Sequence, residues 1–316
     1  MNNYELLSQA LSKISPTYSK GTKCLPKDLK KPVSIGNALY RSMDLIEDLI
    51  ENNTERQKLF DELFLGMKNT HPVNNLHKAL VTIAETEQDT TTARLFPVII
   101  DCYKSLEENV KQAIFEEAKN MRRGMNKSEI TTLNDQNKYC DAAACTVGDM
   151  LTKIFYATSH IDENRFQKLL KNSHNVGRAL QKMNIIRDVK KDNAFYWPAE
   201  MLESEGLDRT SIFLTENINK AANVKSKLLD DAKYYLDTSL QYIRDLPRRE
   251  HGIRLFCMLG LFNYALVYNE ARKNNRIFAE EISMKKDLKN LLPLIYLSAS
   301  SNTLVEKLYN HCVGTN

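Results

Sequence analysis

Two short acidic runs hold the residues best suited to chemistry. The first is Asp44-Leu45-Ile46-Glu47-Asp48, and the second closes the run Gln181-Lys182-Met183-Asn184-Ile185-Ile186-Arg187-Asp188-Val189-Lys190-Lys191-Asp192. In each, two aspartates stand four residues apart in an apolar, helix-forming stretch, which predicts both carboxylates on one helix face, one turn apart. Like charges at that spacing weaken an isolated helix by roughly 0.2–0.5 kcal/mol, so a chain that carries the arrangement twice calls for a cation. Hard oxygen ligands of this kind suit Mg²⁺, which takes one or two carboxylates directly and leaves positions for water and phosphate oxygens.

The second run belongs to a longer polar stripe. Gly177, Gln181, Asn184, Asp188 and Asp192 follow at helical intervals, with Leu180, Met183 and Ile186 beside them, which makes a poor core and an odd solvent face. Gly177 lacks a side chain on the same stripe, so a ligand or a second helix can approach there. The competing reading is a solvated face on which Lys191 pairs with Asp188. For the first run a solvated face is the commoner meaning of such a cluster. There Arg41 either pairs with Asp44 or holds a phosphate beside a metal with its guanidinium fork.

These runs need helices to position them, and the rest of the chain supplies little else. Among 316 residues, 42% are hydrophobic and 27% charged, with only 10 glycines and 8 prolines. Apolar residues recur at helical spacing over 3–13, 34–52, 55–67, 74–87, 90–105, 107–124, 129–158, 163–191, 217–245, 249–274 and 286–310. Breaks fall at Ser15-Pro16, His71-Pro72, Trp197-Pro198 and Leu246-Pro247. No repeat and no low-complexity linker divides the chain, so one all-α domain over 1–316 is expected. The net charge of +4 is mild and the lysines are dispersed, which argues against nucleic acid as a partner. The six cysteines form no CxxC pair and read as reduced thiols of a cytoplasmic protein. The N-terminus lacks a signal-peptide layout, and the most apolar stretch, 253–268, is too short to span a bilayer.

The run from Gln181 to Asp188, followed by Asp192 and Phe195-Tyr196-Trp197-Pro198, resembles the second aspartate-rich signature of the squalene and phytoene synthases. Three further segments resemble that family in the same order: Tyr40-Arg41-Ser42-Met43-Asp44 through Asp48, Tyr139-Cys140-Asp141 through Gly148, and Arg254-Leu255-Phe256-Cys257. The resemblance implies an isoprenoid synthase helical bundle around one central cavity, with the acidic motifs facing across its mouth. It implies Mg²⁺ held by Asp44, Glu47, Asp48, Asp188 and Asp192. Arg41, Gln181, Lys182, Asn184 and Arg187 would serve the substrate diphosphate, Phe256 would form a cavity wall, and Tyr139 would act on the carbocation. Asn184, Lys285 and Lys286 would touch NADPH.

The reaction so implied joins two farnesyl diphosphates head to head through presqualene diphosphate to squalene, in a farnesyltransferase-type monomer that touches membranes only peripherally. Dehydrosqualene, phytoene or presqualene diphosphate as product, or a non-catalytic scaffold, are the alternatives. The chain departs from the family pattern at several places: Pro16 replaces an N-terminal arginine, Asn37 a tyrosine, and Leu261 a glutamine, Lys191 stands where an acidic residue is usual, and the loop from Asp192 to Trp197 is shorter and lacks an arginine.

Overall fold

The computed structural model describes residues 2–68, 72–124, 129–280 and 282–315, without the side chains of residues 16 and 17. His71, half of one expected break, lies outside them. Among the described residues the regular structure is helical and no strand occurs, as the periodicity predicts. The chain divides into two compact units.

The first unit is Met1–Arg122 with Lys153–His160. It contains α1 (Asn3–Ile14), α2 (Pro16–Thr22), α3 (Lys27–Leu49), α4 (Asn53–Met67), α5 (Asn74–Ile83), α6 (Glu87–Lys104) and most of α7 (Glu108–Gly124). Capping boxes start two of them. Asn2 with Glu5 opens α1 and Thr86 with Asp89 opens α6, each pair satisfying two otherwise unbonded N–H groups. Helix α6 packs on α1, α3 and α5. The buried residues on these helices recur at helical spacing, among them Leu7, Leu11 and Ile14 on α1, Leu39, Met43 and Ile46 on α3, and Phe96, Ile99 and Ile100 on α6. Each such side chain contributes about 1.5–3 kcal/mol when withdrawn from water, which fixes the buried face of α3 and leaves Arg41 and Asp44 at its edge.

Two proline positions behave otherwise than expected. Ser15-Pro16 is a break, but Pro16 also stands first in α2, where its missing N–H costs nothing. Helix α3 begins at Lys27 rather than 34 and runs through Pro32, giving up a helical hydrogen bond there.

The second unit is Arg123–Thr152 with Ile161–Asn316. It contains α8 (Leu133–Cys140), a π turn (Asp141–Cys145), the first half of α9 (Thr146–Thr158), α10 (Glu163–Arg187), α11 (Ala199–Glu203), α12 (Ile218–Asp245), α13 (His251–Lys273), α14 (Lys285–Ser298) and α15 (Asn302–Val313). Helix α10 lies against α12, α13 and the π turn. Glycines allow the closest of these approaches. A Cβ on Gly177 would fall 2.5 Å from the Ala144 carbonyl oxygen, and one on Gly148 would fall 2.6 Å from that of Ser173. The bare spot on the polar stripe therefore admits a helix.

Arg254 clasps the far end of this unit. Its fully buried guanidinium donates to the carbonyls of Ile243, Leu246 and Ala299 and to Asn302 Oδ1, gathering α12, α13 and α15. Three expected helices are revised here. The 129–158 helix is interrupted by the π turn, the 286–310 helix is broken at 299–301, and the 163–191 helix stops at Arg187.

Candidate active site

The early end of α10 decides the geometry of the second motif. Asp188 caps the helix with φ −93° and ψ 12°, and the chain then turns through Asn193 and Ala194, both left-handed at φ 48° and 55°. Asparagine tolerates that region; alanine does so only when its surroundings enforce it, and Ala194 is buried. The Ala194 N–H donates to the Val189 carbonyl, and the Trp197 indole donates to that of Ile185, supplying donors for the carbonyls at the helix end. The Asp192 N–H still bonds the Asp188 carbonyl at 2.9 Å. The two aspartates thus remain one turn apart, but on a helix cap and the turn after it.

Around Asp188 the polar groups are tightly organised. Arg187 grips it bidentately, Nε to Oδ1 at 2.7 Å and a terminal nitrogen to Oδ2 at 2.6 Å. The same guanidinium lies 5.9 Å from the ring centre of Tyr264 on α13. The Tyr264 hydroxyl donates to Asn184 Oδ1 at 2.6 Å, and the Asn184 amide donates to Gln181 Oε1 at 3.4 Å. Burial pushes the Tyr264 phenol up, so it stays a donor at neutral pH. Lys191 is exposed, and the cation that pairs with Asp188 is Arg187.

Lys182 points elsewhere. Its ammonium is 1% exposed and lies 2.5 Å from Asp231 of α12 and 3.1 Å from Gln136 of α8. The Gln136 amide in turn donates to the Tyr196 carbonyl at 2.9 Å. This polar chain ties α12, α10 and α8 to the loop behind the second motif. Tyr139, also on α8, stacks on Tyr196 with ring centres 4.5 Å apart. Phe256 is half-buried on α13, and Lys285 and Lys286 are exposed in the first turn of α14.

The first motif lies on α3 of the other unit. Arg41 donates to Asp44 at 2.8 Å, Glu47 is buried and Asp48 is exposed. Burial, with the charge of Asp48 adding to it and Arg41 opposing, pushes the Asp44 carboxyl up to about 6.

The sequence profile described as squalene/phytoene synthase matches residues 11–287. The chain belongs to that family. The match contains every residue named above as a candidate for chemistry. The squalene synthase of Schizosaccharomyces pombe is 25% identical over 299 residues, covering 88% of this chain and 62% of that protein. The chain thus spans less than two thirds of that relative's length. A ligand complex of the squalene synthase TcSQS has a TM-score of 0.79 at 17% identity, covering 99% of this chain and 98% of that one. A dehydrosqualene synthase in complex with a ligand has a TM-score of 0.53 at 18% identity, covering 99% and 95%. These likenesses establish the all-α isoprenoid synthase fold of the squalene/phytoene synthases, whose members are prenyltransferase-type enzymes.

Within this squalene/phytoene synthase chain, Tyr264, Gln136 and Asp231 are the polar residues that sequence reasoning missed. Tyr264 lies inside the most apolar segment, where its one signal was a hydroxyl in a stretch read as buried core. Gln136 and Asp231 meet Lys182 from 46 and 49 positions away, and nothing local marks such a pairing.

Proposed function

We propose that the chain catalyses the Mg²⁺-dependent head-to-head condensation of two farnesyl diphosphates through presqualene diphosphate to squalene. The observation that carries this reading is the pairing of a family match over 11–287 with a second motif whose aspartate is gripped and oriented at both oxygens by Arg187. The donors suit the ion. Each Asp188 oxygen accepts one bond from Arg187 and keeps a second lone pair, and burial leaves the Asp44 carboxylate short of compensating charge.

Asp44, Glu47, Asp48, Asp188 and Asp192 would hold Mg²⁺, which when bound neutralises charge on the departing diphosphate. Arg41 and Arg187 add fixed positive charge, and being preorganised they cost little reorganisation as the leaving group charges. Gln181 and Asn184, the latter fixed by Tyr264, offer polar contacts to diphosphate or its water. Tyr139, braced by Tyr196, presents an aromatic ring to an allylic cation, which the negative face of the ring attracts. Phe256 would form part of the cavity wall. Lys182 serves this proposal indirectly, by holding α10 to α8 and α12. Lys285, Lys286 and Asn184 have the donor chemistry for the phosphates and amide of NADPH. A family match that runs through both compact units supports reading 1–316 as one catalytic domain, acting as a monomer. Six free cysteines suit a reducing cytoplasm.

Peripheral membrane contact fits α14. Leu292, Leu294, Tyr296 and Leu297 are 43–67% exposed, and Lys285, Lys286 and Lys289 precede them on the same helix. Exposed apolar side chains beside lysines match an anionic bilayer surface, where a C30 hydrocarbon would be delivered. Among the described residues no helix is long and apolar enough to cross a membrane.

The deciding experiment incubates the purified protein with farnesyl diphosphate and Mg²⁺, with and without NADPH, and identifies the products. Squalene formed only with NADPH supports the proposal. Presqualene diphosphate, an alcohol or dehydrosqualene under both conditions would move the chain to a non-reducing member of the family, a reading favoured by Asn37, Lys191 and Leu261. No turnover of C15 or C20 diphosphates would leave the scaffold reading.

A further inference from the structure

The densest group of ligating side chains outside the acidic motifs sits where α8 gives way to α9. The π turn widens the helix by one residue and turns Asp141 and Cys145 toward His174 on α10. Asp141 Oδ1 lies 3.3 Å from His174 Nε2 and 3.5 Å from Cys145 Sγ, and the three ligand atoms are all within 4.8 Å of one another. A tetrahedral ion bonded at about 2.0–2.3 Å to oxygen, nitrogen and sulfur has ligand-to-ligand edges of roughly 3.3–3.7 Å. Two edges already have that length.

The surroundings are those of a supported metal centre. The other ring nitrogen of His174 is 3.5 Å from Asp149 Oδ2, and Asp149 is held by the Ser173 hydroxyl. A carboxylate behind a ligating histidine fixes its tautomer and raises its basicity. Arg178 Nε donates to Asp141 Oδ1 itself at 2.9 Å, and its terminal nitrogen donates to the Tyr235 hydroxyl at 3.0 Å, so the ligand oxygen is held in place by an arginine that is itself anchored to α12. The Cys145 thiol is buried and donates to the His174 carbonyl at 3.0 Å, while the side chains of His174 and Asp141 are 44% and 34% exposed, leaving a way in from solvent.

We propose that Asp141, Cys145 and His174 form a Zn²⁺ site whose fourth position is open to water or an exogenous ligand. A thiolate, an imidazole and a carboxylate select a borderline ion such as Zn²⁺, whereas the all-oxygen acidic motifs select Mg²⁺. The two sites therefore take different metals, and this one does not depend on the prenyl transfer reaction.

The test uses the full chain, stripped with a chelator and kept in excess Mg²⁺ so that the acidic motifs are occupied. One Zn²⁺ per chain should survive desalting. Co²⁺ in its place should give tetrahedral ligand-field bands and a thiolate-to-cobalt charge-transfer band, which Cys145→Ser removes. Asp149→Asn should keep the band and weaken metal affinity about 10–100-fold. An octahedral cobalt spectrum without the thiolate band overturns the site and needs no variant. Zinc retention unchanged in a helical His174→Gln protein overturns it too, and leaves His174 as a hydrogen-bonded bridge between Asp141 and Asp149.

Discussion

Asp44 stands inside α3, five residues before its last residue and with Arg41 beside it, whereas Asp188 caps the end of α10 and is gripped at both oxygens. Both belong to an aspartate pair four residues apart, but burial pushes the Asp44 carboxyl up to about 6, whereas Asp188 has a bidentate arginine partner at its shoulder. Spacing alone therefore says little about how ready a carboxylate is to take a cation. The first motif gains most from a metal, since it has charge to be compensated; the second has already been paired and aimed by its neighbours.

Replacing either aspartate should cost most. Asp44→Ala and Asp188→Ala are each expected to lower kcat for diphosphate release by about 10²–10³-fold, the scale seen when one preorganised electrostatic group is lost. Near-normal activity in either, with helical circular dichroism intact, would break the equivalence of the two motifs. The next effect is structural. Lys182→Met leaves the half-buried Asp231 without its cation and Gln136 without a donor, and should destabilise the fold by about 1.5–3 kcal/mol in urea melts, the scale of a lost charged hydrogen bond. The double change Lys182→Met with Asp231→Leu should recover most of that loss. If stability returns while activity does not, Lys182 touches substrate as well.

Tyr264→Phe removes the hydroxyl on Asn184 and should cost about 1 kcal/mol of stability, with a raised KM for farnesyl diphosphate. An unchanged KM would detach Asn184 from the diphosphate. The smallest effect is a pH signature confined to the first motif. A folded carboxyl raised to about 6 from an ordinary 3.8 binds its proton more tightly than the unfolded chain does. Stability contributed by Asp44 is thus present at low pH and lost as pH rises from about 4 to 6. Asp44→Asn lacks that loss, so its Tm relative to the parent should climb across this window and stay flat above it. Added Mg²⁺ at pH 8 should shrink the difference. A pH-independent gap would show that Asp44 is not strained by burial.

Much of this was legible in the sequence because the relevant signals are local. Helical period gave the fold class, and aspartate spacing with the residues around it gave both motifs and the resemblance to a family. The end of α10 was not legible, since Asn193 and Ala194 adopt left-handed angles for reasons set by the packing of Trp197 and Val189. The π turn was hidden for a similar reason: Ala142-Ala143-Ala144 favours ordinary helix, and the extra residue is accommodated only because α10 presses a glycine against it. The family resemblance assigns Lys182 to the diphosphate, and its partner Asp231 lies on another helix, which nothing local in the sequence reveals. His174, Asp141 and Cys145 carried no recognisable metal spacing because they come from two helices.

Trp197 is the one tryptophan in the chain, and its indole is bonded to the carbonyl at the end of α10. The protein accordingly contains a single indole reporter, selectively excited above the tyrosine band and seated under the turn that carries Asp188 and Asp192. Its emission reads that turn alone, without the averaging over many indoles that obscures such signals in larger enzymes. Stopped-flow fluorescence can therefore time the ordering or release of the second motif on its own, while the first motif stays spectroscopically silent.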